Sequence, residues 1–141
     1  MFCKKKLRNF AVKQAVMSVG YSKQYQNRNK YKAIKQKVDG YTFDSKREAS
    51  YYMELQWRLK AGEVKEIIKQ KSLELYCNEK LICKYKIDFC VITKEDEVEL
   101  HEVKGFETRD WMLKWKMTEA QLEDIGNRQF GGVVPKLVLV K

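Results

Sequence analysis

The sequence predicts one α/β domain in which helices flank a mixed central sheet, in the order helix, three strands, helix, strand (αβββαβ). Three patterns predict it. A helical pattern covers residues 45–61, period-two strand patterns fill 71–104, and a second helical pattern at 109–124 precedes an apolar run at 136–140. Helices and strands in this order pack as layers around one core, which gives an α/β sandwich.

Length and composition are those of a globular protein. The 141 residues are 44% hydrophobic and 12% aromatic, enough to bury a core. No apolar run reaches membrane-spanning length, and Lys13 interrupts the segment that would serve as the apolar part of a signal peptide. We therefore expect a cytoplasmic protein. Four cysteines without a CxxC pair, and a single histidine, argue against a zinc site.

The positive charge is concentrated at the start of the chain. Residues 1–38 contain eleven Lys or Arg and no acid, whereas the rest contains eighteen basic and nineteen acidic residues. Tyr21, Tyr25 and Tyr31 lie among these cations. Such a basic arm favours a nucleic-acid partner, since cations displace counterions from phosphates and rings stack on bases. The alternative is a solubilising tail. The candidate DNA contacts are Lys23, Arg28, Lys30, Lys32, Lys35, Lys37, Lys46 and Arg47.

The chain accordingly divides into a basic arm at 1–38 and a folded domain at 39–141. For residues 1–20 the sequence predicts either a short helix or an arm that packs on another subunit. Residues 21–38 are polar and poorly periodic, which indicates a linker or a DNA-contacting loop. The pair at 39–40 is a turn signal, and residues 41–43 predict a brief strand.

The first helix is predicted from Ser45 to Ala61, with Gly62 as its stop. Its inward stripe contains Glu48, Tyr52, Leu55 and Leu59. Glu48 is the only carboxylate in this stripe. Either it belongs to a functional site, or it completes a capping box by bonding the backbone amide of Ser45. Spacing alone does not decide between these two interpretations.

After an apolar run at residues 64–68, strands are predicted at 71–77, 81–93 and 98–104, with a turn at Asn78 and Glu79. Period two places Glu102 and Lys104 on the same face as Val98 and Leu100. It also places Tyr85, Ile87, Phe89 and Val91 on one face of their strand, with Asp88, Cys90 and Ile92 on the other. If the connecting loop has an odd length, Asp88 lies opposite Glu102, with Cβ atoms about 4.5–5.5 Å apart.

The second helix is predicted from Arg109 to about Asp124, with Thr108 as its N-cap. Its buried stripe contains Trp111, Trp115, Thr118, Leu122 and Ile125. The final run, Lys136 to Val140, is apolar on both faces, which is typical of a buried parallel strand.

Asp88, Glu102 and Lys104 are the candidate catalytic residues. Two carboxylates can hold Mg²⁺ together with substrate phosphate and water, and an adjacent lysine can orient a nucleophile or offset charge. The backbone carbonyl of Val103 is a further candidate ligand, and Glu48 could complete the set through water. The alternative is two surface strands with charged outer faces, since this spacing is common by chance. His101 alternates to the other face and is interpreted as packing.

Asp88, Glu102-Val103-Lys104 and the helical Glu48 together resemble the PD-(D/E)XK nuclease superfamily. The stretch from Asn29 to Ala49, and Val103 to Phe106, are similar to small phage-encoded members, and the layout is like that of junction-resolving phage endonucleases. Ile87 stands where the motif usually has proline. The resemblance covers residues 29–141.

The resemblance implies a restriction-endonuclease-like fold, dependence on Mg²⁺ or Mn²⁺, and cleavage of DNA, often as a homodimer. It also implies that Asp88 and Glu102 are metal ligands, that Lys104 is the catalytic lysine, and that Glu48 is the helical acid. We expect a nuclease for branched or structured DNA, such as a Holliday junction. The alternative is a DNA-binding accessory protein that has a nuclease-like fold and no activity.

Overall fold

The computed structural model describes residues 34–141, which form a mixed α/β fold. The elements in chain order are β1 (Gln36–Val38), β2 (Tyr41–Phe43), α1 (Lys46–Lys60), β3 (Val64–Cys77), β4 (Lys80–Thr93), β5 (Val98–Val103), α2 (Arg109–Ala120), α3 (Leu122–Gln129) and β6 (Lys136–Val140). From α1 onward the predicted order is confirmed, except that the second helix is divided in two. None of these helices is long and apolar enough to cross a membrane.

The central sheet has the strand order β3-β4-β5-β6. The first three strands are antiparallel to their neighbours, and β6 runs parallel to β5. Parallel neighbours need a crossover connection, which α2 and α3 supply. A separate hairpin joins β1 to β2 through Asp39 and Gly40, which both have positive φ. The interpretation of residues 21–38 as a linker or loop is therefore wrong for 36–38. It failed because Gln36 and Lys37 are exposed and polar and the strand is too short to show an alternating pattern.

Helices cover both faces of the sheet. On one face, Ala49, Tyr52 and Leu55 of α1 pack against Phe89 and Val91. On the other, Trp111 of α2 and Ile125 of α3 pack in a cluster of residues from β3, β4 and β5. The prediction of a central sheet flanked by helices is confirmed at this level, and the core lies in two layers.

The predicted alternation along β4 is wrong at its middle. Tyr85 and Ile87 pack in the α2/α3 cluster together with Cys90, whereas Phe89 and Val91 pack under α1. Odd-numbered residues before position 88 thus face α2 and α3, whereas odd-numbered residues after it face α1. Opposite position 88 on β3, Gln70 has a φ of 51° and interrupts the ladder between the paired neighbours at 69 and 71. A residue in this conformation adds local twist, which a strict period of two does not anticipate.

Three other expectations need correction. β3 is one strand from Val64 to Cys77, although two separate runs were predicted. The second helix ends at Ala120, because Gln121 leaves helical geometry and its side chain accepts a hydrogen bond from the amide of Tyr76. β6 is only half buried, since it forms an edge of the sheet among the described strands.

Candidate active site

The candidate site lies where β4 and β5 separate. Their ladder runs from Ile92 opposite Val98 to Phe89 opposite His101, and the next position on β4 is Asp88. There the Asp88 carboxylate accepts a hydrogen bond from the backbone amide of Val103 at 2.8 Å. A side-chain oxygen thus bonds an amide beyond the last ladder pair, which ties the two strands together where the ladder ends.

The structure brings Asp88, Glu102, Lys104 and Glu48 to one cavity of about 430 Å³, which we call the main cleft. Its carboxylates are Asp44, Glu48, Asp88, Glu102 and Asp110, and its lysines are Lys84, Lys86, Lys104 and Lys114. Glu102 lies on the side of β5 whose other residues, Val98 and Leu100, pack under α2 and α3, as predicted. The amide of Thr93 donates to the carbonyl of Glu97, so these two residues pair and the loop between them, 94–96, has the odd length that this register requires.

Glu102 is the most deeply buried acid of the main cleft, with an exposed fraction of 2%. Its Oε1 accepts a hydrogen bond from Lys104 Nζ at 3.1 Å. Its Oε2 is the only buried side-chain oxygen or nitrogen in residues 34–141 that makes no hydrogen bond of good geometry, although the Tyr85 hydroxyl interacts with the Glu102 carboxylate. A buried carboxylate oxygen without a good hydrogen bond is costly, so a cation or donor at this position would stabilise it.

Asp88 is electrostatically coupled to its neighbours. Burial, and then the nearby charge of Glu102, raise the pKa of Asp88 to about 7, while the amide of Val103 and the ammonium of Lys104 lower it. A carboxyl group with this pKa is partly protonated at neutral pH. A positive charge beside it would favour the ionised form.

Glu48 both contacts its helix cap and lines the main cleft. Its backbone amide donates to Ser45 Oγ at 3.1 Å, and the Ser45 hydroxyl lies 3.2 Å from Glu48 Oε1 as donor. The carboxylate thus bonds the hydroxyl of Ser45, and not the backbone amide that a capping box would use. Burial is the main cause that raises the pKa of Glu48, and the charge of Glu102 contributes to the same direction. The carboxylate therefore contacts the helix cap in a different way from the predicted capping box, and it also lines the main cleft.

The metal-ligand assignment stays a prediction. Within the described part of the chain, no three His, Cys, Asp or Glu side chains are grouped closely enough to hold a metal ion together. The two acids from β4 and β5 are nevertheless hard oxygen donors on one face, and one oxygen of Glu102 makes no hydrogen bond of good geometry. That donor set fits Mg²⁺, which needs only one or two protein carboxylates beside phosphate and water. Val103 is buried, and together with Lys104 it lines a further cavity next to the main cleft.

Four of the predicted DNA contacts fall in the described residues. Arg47 donates to the backbone carbonyl of Lys104 at 3.2 Å, which places its guanidinium beside the main cleft. Lys35 forms an exposed ion pair with Asp44, whose side chain also lines the cleft. Lys37 and Lys46 are exposed to solvent. Lys23, Arg28, Lys30 and Lys32, and the predicted helix or arm at 1–20, lie outside the described residues.

Sequence reasoning missed part of the cleft wall. Lys84 and Lys86 line the cleft together with Tyr85, which lies between them, so strict alternation, which puts the lysines and Tyr85 on opposite faces, does not identify this wall. Tyr85 and Trp111 also line the cleft, and Trp111 Nε1 donates to the Tyr85 hydroxyl at 2.9 Å. Only the fold brings these two rings together, and no sequence spacing indicates their contact.

The opposite face of β5 carries a satisfied polar cluster. His101 is 1% exposed, as expected for a packing residue. Its Nδ1 lies 2.8 Å from the Tyr51 hydroxyl, and its Nε2 lies 3.0 Å from a carboxylate oxygen of Glu99. A neutral imidazole with its proton on Nε2 makes both bonds, accepting from Tyr51 and donating to Glu99. Burial lowers the pKa of His101, which agrees with this neutral form.

Comparison with known proteins adds a family but no activity. Searches of the curated proteins and of the solved structures returned no match. A family of proteins of unknown function, DUF1064, matches residues 28–130, a range that contains α1, β4, β5 and all four candidate catalytic residues. Because the match spans more than two thirds of the 141 residues, the chain belongs to the DUF1064 family.

Proposed function

We propose that this protein is a divalent-metal-dependent DNA endonuclease that acts on branched or structured DNA. The arrangement that carries the proposal is the convergence of Asp88 and Glu102 on one face of two strands, with Lys104 beside them and one oxygen of Glu102 without a hydrogen bond of good geometry. The finer fold assignment, a restriction-endonuclease-like core of the PD-(D/E)XK type, is part of this proposal.

Each side chain has a role in phosphodiester hydrolysis. Asp88 and Glu102 would hold Mg²⁺ or Mn²⁺, with the Val103 carbonyl and Glu48 as candidate additional ligands. When bound, the metal neutralises charge on the phosphate and lowers the pKa of water. The Lys104 ammonium, held 3.1 Å from Glu102, offsets the negative charge that develops on the phosphate and orients the attacking water. Glu48 extends the negative field at the end of the cleft.

DNA would be positioned through its phosphates. Lys84, Lys86 and Lys114 line the same cleft as the carboxylates, and Arg47 lies at its edge. Cations in this arrangement hold a polyanion beside a metal site without reading sequence. The basic arm at 1–38 would add sequence-independent affinity, which suits selection of DNA by shape. A homodimer would allow two strands of a junction to be cut together.

A second candidate function is a DNA-binding accessory protein without nuclease activity. It is favoured by the ion pair between Lys104 and Glu102, which already uses one carboxylate oxygen. The described residues also form no ready group of three metal ligands. In this case the cleft would bind DNA and the candidate catalytic residues would stabilise the fold.

One experiment separates the two functions. The purified full chain is incubated with a labelled four-way junction and with linear duplex of the same sequence, in Mg²⁺, in Mn²⁺ and in EDTA. The nuclease predicts metal-dependent nicking of the junction that Lys104→Ala abolishes while DNA binding is retained. Lys94→Ala, which removes an exposed lysine at the β4–β5 tip, is the matched control and should cleave normally. Tight binding with no cleavage in either metal would favour the accessory protein.

A further inference from the structure

A second cavity adjoins the main cleft. It measures about 260 Å³ and lies between the β1–β2 hairpin and the central sheet; we call it the hairpin cavity. It shares Glu48, Gln70 and Asp88 with the main cleft. A molecule seated in the hairpin cavity would therefore be next to whatever Asp88 and Glu102 hold.

Three of the eight residues that line the hairpin cavity are aromatic. Phe43 and Phe89 are buried and line its inner wall, where Tyr52 packs behind them at ring-centroid distances of 5.0 and 6.1 Å. Tyr41 lies at the open side and is half exposed. Lys69 also lines the cavity, with its ammonium over the ring of Tyr41 and 4.9 Å from the centroid of Tyr52. An aromatic wall with a cation beside it is the surface on which nucleobases stack.

Polar groups lie where the two cavities meet. Gln70 is exposed, and its φ of 51° is an unfavourable backbone conformation for a residue with a side chain. The carboxamide can both donate and accept, which matches the edge of a base. Four lysines line the main cleft and only one, Lys69, lines the hairpin cavity, so the phosphates of DNA find more cations in the main cleft.

We propose that the hairpin cavity receives one unpaired nucleobase, that of the nucleotide next to the phosphodiester held at Asp88 and Glu102. This inference rests on the proposed function and sharpens its substrate class to DNA with an unpaired or extrudable nucleotide beside the cut. The lysines of the main cleft then contact phosphates, and Tyr41 stacks on the base once the Lys69 ammonium has moved off the ring face that it covers. The cavity volume of about 260 Å³ lies below the roughly 300–1,000 Å³ of sites for drug-sized ligands, and this size suits a single base.

The first test is a scan with abasic sites. Single-turnover cleavage is measured on junctions that carry one abasic site at successive positions around the cut. Wild-type protein should slow by roughly 5- to 150-fold when the missing base is the one next to the cut. Tyr41→Ala should slow by a similar factor on intact DNA and lose its sensitivity to that abasic site, whereas Tyr41→Phe should behave as wild type. Trp57→Ala, an exposed aromatic residue on α1, is the matched control.

Equal cleavage at every abasic position, or an unchanged abasic response in Tyr41→Ala, would overturn the proposal while leaving the nuclease intact. A second measurement needs no cleavage. Binding in EDTA is followed by fluorescence anisotropy for forked DNA whose unpaired nucleotides carry bases or are abasic. Wild type should prefer the fork with bases, and Tyr41→Ala should not. If the protein cuts nothing, the proposed function fails, and this binding difference alone decides whether the base pocket exists.

Discussion

His101 and Glu102 are adjacent on β5 and almost equally buried, but they face opposite sides of the sheet and differ in their partners. His101 has a partner at each ring nitrogen, Tyr51 and Glu99. Glu102 has one oxygen bonded to Lys104 and one without a hydrogen bond of good geometry, beside a cleft that also contains Asp88. A buried polar group with all its bonds made stabilises a fold, whereas one left unsatisfied next to a cavity marks a place where a ligand completes the bonding.

The largest expected effect is on the cleft side. Glu102→Gln removes the charge that would hold a divalent cation, so junction cleavage should fall by roughly 100- to 1,000-fold. The melting temperature should stay the same or rise, because a neutral amide costs less to bury than a partly unpaired carboxylate. Single-turnover kinetics and thermal unfolding measure the two quantities. Cleavage close to the wild-type rate would remove Glu102 from the proposed mechanism.

The opposite result is expected across the sheet. His101→Leu leaves the Tyr51 hydroxyl and the Glu99 carboxylate without their partner, so the free energy of unfolding should fall by about 1–3 kcal/mol. Below the unfolding transition, cleavage should remain near the wild-type rate. Urea unfolding and junction cleavage of the same preparation test both. A loss of cleavage in fully folded His101→Leu would contradict the division between the two faces.

The two faces should also respond to pH with opposite signs. His101 has a pKa below its ordinary value of 6.5, so the unfolded chain binds more protons than the native one below that pH. His101 therefore lowers stability as the pH falls from about 6.5. Three charged or ionisable side chains take part, Tyr51, Glu99 and Arg58, because they interact with the imidazole. Relative to His101→Gln, wild type should lose up to about 1.4 kcal/mol per pH unit in that range.

The contribution of Asp88 to stability should change with pH in the opposite direction. Its pKa of about 7 in the fold exceeds the ordinary 3.8, so its contribution to stability is present at acidic pH and is lost as the pH rises from about 4 to 7. Relative to Asp88→Asn, wild type should become less stable over that rise in metal-free buffer. Denaturant unfolding at several pH values measures both differences. Parallel pH profiles for wild type and Asp88→Asn would show that Asp88 is not strongly perturbed.

The smallest effect is expected from Tyr51→Phe. It removes one hydroxyl and keeps the ring that packs on Phe89 and His101. The loss should be about 1 kcal/mol, the usual contribution of one buried hydrogen bond. A chemical-denaturation curve with an unchanged slope would measure it. A larger loss, equal to that of His101→Leu, would mean that Tyr51 organises the whole cluster.

Much of this comparison could be predicted from the sequence, because strand alternation is a local property. It places Glu102 and His101 on opposite faces, whereas the position of Asp88 beside Glu102 depended on a loop length that alternation does not fix. Alternation did not predict that odd-numbered residues of β4 change from one face of the sheet to the other at Asp88. This change lies opposite the left-handed backbone of Gln70 on the neighbouring strand.

Contacts between segments that are distant in the chain could not be predicted from the sequence either. Tyr41 and Lys69 form the hairpin cavity only because β2 folds over β3, and their spacing in the chain carries no signal of it. The end of α2 at Ala120 likewise depends on Gln121, whose side chain bonds the amide of Tyr76 on β3. Amphipathic periodicity continues through this break and so predicts a single helix.

The central claim is that Asp88 and Glu102 together bind a divalent cation, and calorimetric titration of Mn²⁺ into the full chain tests it most directly. We expect wild type and His101→Gln to bind Mn²⁺ alike, with binding at least about tenfold weaker in Glu102→Gln. Undiminished Mn²⁺ binding by Glu102→Gln, or no binding by wild type either alone or with uncleaved junction DNA, would contradict the account.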